Sequence, residues 1–153
     1  MSVFSDCIER VRLDMESALA GCDPAPILSV GGTTTARPRE FVVHEVPEGV
    51  SLSDRSTSCM GGRGSYRIEF TVPCQVWCKT RGLVAAADEL NGYIELFIAA
   101  IASDKTLGGH AIHAEPVIGR AGTAYENDRA MYLAACDLGV RVKAEINPLR
   151  TKE

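Results

Sequence analysis

Residues 132–146 constrain the fold more than any other stretch of the chain. Apolar side chains recur at every second position: Tyr132, Ala134, Cys136, Leu138, Val140, Val142, Ala144 and Ile146 share one face. Asp137, Arg141, Lys143 and Glu145 share the other. A period of two held over this length specifies a long strand with one dry and one wet face, and such a strand belongs to a sheet covered on one side only.

Other segments repeat the pattern more briefly. Tyr66, Ile68, Phe70 and Val72 alternate with Arg67, Glu69 and Thr71. Pro73 then predicts a bulge, a bend or an edge position, because proline cannot donate to a ladder. Pairing is expected to resume through Val76, Trp77 and Cys78. Residues 27–30 read as a short strand stopped by Gly31 and Gly32, and 40–46, with three valines, as another. Residues 110–118 alternate weakly and carry Pro116 near their end.

Two segments follow the helical period instead. Phe4, Cys7, Ile8, Val11, Met15 and Leu19 form one stripe, opposite Asp6, Glu9, Arg10, Arg12, Asp14 and Glu16. Gly21, Pro24 and Pro26 stop that helix. A second stripe joins Leu83, Ala86, Ala87, Leu90, Ile94, Phe97, Ile98 and Ile101, with Lys105 at its C-terminal end and Gly108-Gly109 as its stop.

Between these elements, 47–64 has neither period and is rich in serine and glycine. A structureless loop of that length is usually functional, so it is the best pointer to a working surface. Residues 119–129 read as a polar connection and 147–153 as a frayed tail. The chain has 153 residues, which suits one domain over 1–146. The expected fold class is α+β: an antiparallel or mixed sheet of about four or five strands with two amphipathic helices packed on it, in the order α–β–β–β–α–β–β.

Composition narrows the function classes. With 16 basic and 20 acidic residues the net charge is −4, and no basic stripe gathers, so sequence-specific nucleic acid is not an expected partner. No export signal and no apolar run long enough for a membrane are seen, which predicts a soluble chain in a reducing cytosol. Its six cysteines are then free thiols. Cys74 and Cys78, on one face of a strand, lie about 13 Å apart, too far to share a metal. His110 and His113 point to opposite faces. The glycines around Arg63 lead into a strand, not a helix N-terminus, and lack the spacing of a phosphate loop. His44, Asp54 and Ser51 or Ser53 form no triad by spacing. Cys59, near Arg55 and Arg63, is the one thiol in a setting that could activate it. No catalytic residue, metal site or cofactor is therefore expected.

A long helix ending in Ala102-Ser103-Asp104-Lys105-Thr106-Leu107-Gly108-Gly109, a strand holding Ala114-Glu115-Pro116-Val117, a glycine-containing connection and a long closing strand resemble the tail terminator, or tail-completion, proteins of long-tailed bacteriophages and prophages. The resemblance implies a virion tail protein assembled in the host bacterial cytoplasm. Such a protein forms a ring, expected to be hexameric, that caps the tail tube and meets the head connector. Its partners would be itself, the tail tube protein and the head–tail connector protein, with no membrane. Carried onto this chain, the resemblance makes 47–64 (Asp54, Arg55, Met60, Arg63) the lumen- or tube-facing candidate and 119–130 (Arg120, Tyr125) the neighbour-contact candidate. Arg141, Lys143 and Glu145 would guard a sheet edge. Two alternatives stand beside it: a head-completion or neck protein, and a small ligand-binding or enzymatic domain with 47–64 as its lid.

Overall fold

The computed structural model describes residues 2–31, 38–55, 66–127 and 130–146, with 53–55 described by backbone alone. It begins with helix α1 (Val3–Leu19), whose N-cap Ser2 accepts a hydrogen bond from the Ser5 N–H. Strands β1 (Ile27–Val30), β2 (Arg39–Val43), β3 (Glu48–Arg55) and β4 (Tyr66–Thr80) follow. Helix α2 (Leu83–Ala102) and the strands β5 (His113–Glu126) and β6 (Met131–Ile146) complete the described chain. The result is an α+β fold with a six-stranded mixed sheet in the order β1–β2–β4–β6–β5, and β3 also pairs with β4.

The sheet is organised by β4 and β6, which pair antiparallel without a register shift from Tyr66↔Ile146 to Thr80↔Tyr132. Along both strands the even-numbered side chains face the helices. Ile68, Phe70, Val72, Cys74, Val76 and Cys78 meet Ala134 through Ala144 in one core with both helices. Phe4 of α1 meets Phe70 edge-on at 4.8 Å between ring centroids, and Phe97 of α2 lies against Phe41 of β2 at 5.9 Å. Both helices therefore cover the same face.

Pro73 does not interrupt the strand. Its carbonyl accepts the His44 N–H at 2.9 Å, so the backbone of residue 73 faces the β2–β3 side of the sheet. There β2 ends at Val43↔Cys74 and β3 begins at Glu48↔Thr71. The missing proline N–H falls at the handover between two strands, where no ladder bond is lost. The expected bulge or bend is thereby avoided.

Three further expectations are corrected. Residues 48–55 of the supposed loop 47–64 are a strand, with β3 pairing antiparallel to β4 through two register shifts; Cys59, Met60 and Arg63 lie outside the described residues. The supposed connection after Ile118 continues as strand to Glu126, with one shift between Ile118 and Ala121. Helix α2 ends at Ala102, well before the glycine pair, and the Ser103 hydroxyl bonds the Ala99 carbonyl.

Within α2 the buried line is Ala86, Leu90, Tyr93, Phe97 and Ile101, while Leu83 and Ile98 point outward. Tyr93 joins the buried line because its hydroxyl donates to the Pro24 carbonyl at 2.7 Å, which gives its polar end a partner. Phe97 is fully buried in the core, against Phe41 of the sheet. Phe97→Ala should therefore cost about 3–5 kcal/mol, measured as a lower urea midpoint with an unchanged slope.

Candidate assembly surface

The odd-numbered side chains of β4 and β6 form the second face of the sheet, which neither α1 nor α2 covers. Part of it is closed by its own polar groups. Lys79 is 5% exposed and pairs with Glu126 of β5 at 3.1 Å, and buried Glu40 of β2 accepts a hydrogen bond from Ser29 of β1. Trp77 is buried on this face beside them. The other end is wet: Arg141 and Lys143 straddle Glu69 at 3.7 and 3.5 Å, all three at least partly exposed. Ion pairs of this kind contribute little to stability. Since β6 lies between β4 and β5, Arg141 and Lys143, opposite Glu115 and His113 of β5, cannot guard an edge, contrary to expectation, whereas Glu145 lies past the last β5 pair.

Among the described residues the sheet ends in three strands whose outer sides are unpaired: β5 on one side, β1 and β3 on the other. These edges differ. β1 is four residues long. β3 has eight residues, and exposed Val50 and Leu52 lie on it. Asp54 and Arg55 end this strand on the edge opposite to Arg120 and Tyr125, so the structure does not gather the predicted residues at one place.

β5 is the longest edge, and its two halves are unlike. In the first half Ala114 turns its N–H away from β6 to the Lys105 carbonyl at 2.6 Å. Two residues on, Pro116 faces the same way and has no N–H to offer. This half is closed to another strand. From Val117 to Tyr125 every residue is exposed, and Arg120 is the single charge among them. Past the bulge, alternation directs the outward N–H groups to Ala121, Thr123 and Tyr125. Tyr125 lies tilted against Tyr132, with ring centroids 4.9 Å apart, yet remains 51% exposed. Signals for this half were present in the sequence as alternating Ala121, Thr123 and Tyr125, but the small residues between them, Gly122 and Ala124, masked the period.

Among the described residues, reactive groups do not converge on these surfaces. Burial pushes the Cys7, Cys74 and Cys78 thiols up to about 12, and raises those of Cys22 and Cys136 as well. Such thiols are poor nucleophiles and poor ligands at neutral pH. Among the described residues no three His, Cys, Asp or Glu side chains are placed to hold a metal ion. Two shallow concavities are lined by described residues, one at Gln75, Arg120, Thr123 and Asp137, the other at Gly31, His44, Glu45 and Pro73. Among the described residues no helix is long and apolar enough to cross a membrane.

A cluster of coupled charges lies elsewhere, between α1 and the turn after α2. Arg10 Nε is 2.7 Å from Asp104 Oδ2 and 3.3 Å from Asp14 Oδ1. The Gly108 N–H donates to Asp104 Oδ1 at 2.9 Å. Gly108 (φ +67°) allows the close approach, since a Cβ there would meet Arg10 at 3.1 Å. The Leu107-Gly108-Gly109 run thus fastens the helices: Leu107 fills the core while the glycines let the latch close.

Burial, and then the neighbouring Asp104 carboxylate, push Asp14 up to about 7, against the pull of Arg10. Burial opposes ionisation of Asp104 too, but the bonds from Asp14, Arg10 and Gly108 outweigh it and hold that group down at about 2. Asp14 Oδ2 is buried with no donor facing it, as suits a protonated carboxyl that itself donates. The raised group contributes stability at low pH that is lost as pH rises through 7. The lowered group contributes stability that is lost as pH falls toward 2. Urea midpoints should therefore fall between pH 5 and pH 8 by the equivalent of about 2 kcal/mol, and Asp14→Asn should flatten that decline.

No family model matches the chain, and no curated protein matches it. A solved structure of the virion of a native gene transfer agent particle contains a chain that aligns with 87% of this one and 94% of its own length. The identity is 11% and the TM-score 0.33. A likeness of that degree carries no functional argument.

Proposed function

We propose that this protein is a structural component of a phage-like virion that forms a ring on the end of the tail tube and joins it to the head connector. The observation that carries this reading is a sheet with two unlike open edges, one the long half of β5 that carries Arg120 as its single charge and the other β3. An unpaired strand edge is a template for another chain. Two different edges on opposite sides of one sheet favour head-to-tail contacts, which generate closed rings when the rotation between copies closes. The resemblance of the sequence to tail terminators gives that ring its place, and the wet face at Arg141 and Lys143 leaves a polar surface free for a partner. In this reading the chain needs no cofactor and performs no reaction.

The test is the mass of the assembly. Native mass spectrometry of the purified protein, alone and with isolated tail tubes, should show a closed oligomer, expected to be a hexamer. Electron micrographs should show it at one end of each tube. A monomer at every concentration, with tube ends left bare, would sink the reading.

A further inference from the structure

The geometry points to the contact that builds this ring: the open half of β5, residues 118–125, adds to the β3 edge of the next copy and extends its sheet. The inference rests on the ring reading and names the surfaces that reading leaves open. Four observations support a second copy as the occupant.

Direction is the first. β3, β4, β6 and β5 are four strands paired antiparallel in succession, so β3 and β5 run in opposite senses. A head-to-tail neighbour in the same orientation therefore brings β5 and β3 together antiparallel, the stronger of the two ladders.

Length is the second. The open part of β5 and the whole of β3 both span eight residues, whereas β1 offers four. Chemistry is the third. Val50 and Leu52, the latter 69% exposed, would meet a strand bearing exposed Ile118 and Tyr125.

The fourth is the state of the backbone. The first half of β5 is already closed by Lys105 and Pro116, so a neighbour can engage only the second half. On β3, Leu52 lies opposite Ile68, whose even-numbered neighbours along β4 bond toward β6, so the Leu52 N–H faces outward. Each edge thus presents free donors to the other.

Two proline variants test this without touching the internal ladders. Thr123→Pro removes an outward donor from β5, and Leu52→Pro removes one from β3. Each alone should lose the ring entirely and run as a monomer with an unchanged circular dichroism spectrum. Mixed in equal amounts they should form a dimer that grows no further, through the intact β3 of the first and the intact β5 of the second. Survival of the ring in either variant would overturn the assignment while leaving the ring reading standing. A dimer of Leu52→Pro alone would overturn it in favour of β5 pairing with its own copy. If either variant fails to fold, hydrogen exchange of the wild-type protein decides. The amides of Leu52, Ala121, Thr123 and Tyr125 should slow at least tenfold on assembly, and unchanged rates would reject the pairing. A wild-type protein that is monomeric even on tail tubes would remove the ring reading itself.

Discussion

The pairing of β4 with β6 is the constraint on which everything else in this protein depends. Fifteen consecutive residues of β4 face β6 in a single register. A slip by one residue would turn six buried apolar side chains of β4 to water and bring Arg67, Glu69 and Lys79 under the helices. At roughly 1.5–3 kcal/mol for each fully buried aliphatic or aromatic side chain, no alternative register competes. Both helices, and the strands on either side, are placed by this pair. Gly139 shows how tight the pairing is: a Cβ there would come within 2.7 Å of the Thr71 methyl group across the strands. Glycine at 139 and proline at 73 lie directly opposite, two residues that a ladder normally avoids, accommodated at one point where each costs least.

Much of the fold was legible because its long elements are amphipathic. The stripes of α1 and α2 and the alternation in β4 and β6 needed only local periodicity. What was missed has a common cause. β3 and the second half of β5 are edge strands exposed on both faces, so no core imposes a period of two on their side chains. Serine, glycine and alanine serve there as well as valine. Pairing with β4 and β6 gives these segments their conformation, and backbone hydrogen bonds leave no trace in side-chain pattern. Pro73 misled for the opposite reason. It is a strong local signal whose meaning depends on which neighbour its nitrogen faces, and that is settled only when β2 hands over to β3.

The candidate surface was legible in part. Arg120 and Tyr125 do lie on the open edge, although in a strand and not in a connection. Arg141, Lys143 and Glu145 were rightly placed on a wet face, but a strand that closes the sequence need not close the sheet, and β5 lies outside β6. The Leu107-Gly108-Gly109 run read as an ordinary helix stop. Its partners, Arg10 and Asp14, are about ninety residues away in sequence, so no local pattern could have joined them. The latch matters to the assembly surface because it fixes the turn that delivers Lys105 to Ala114, and with it the closed half of β5.

The two edges also differ in height along the strands, and that difference shapes any ring they build. β3 lies beside the first half of β4, whereas the open half of β5 lies level with the second half, across β6. Joining one to the other shifts each copy along the strand direction by about eight residues, roughly 25 Å at the rise of a strand. Copies stacked with strands parallel to the ring axis would climb with every step and never meet. Closure requires the strands to tilt so that the accumulated shift becomes shear around the circle, the same relation that links tilt, stagger and strand number in barrels. A long twisted β4–β6 pair supplies strands that can tilt as a unit, and the blocked first half of β5 forbids the unshifted pairing that would make a flat sheet. The bulges in β3 and β5 bend the strands where one copy would pass to the next. In the proposed ring, blocking half an edge would therefore do more than prevent stray association. It would select the staggered contact, and a staggered contact between unlike edges is what a tilted, closed ring of identical chains requires.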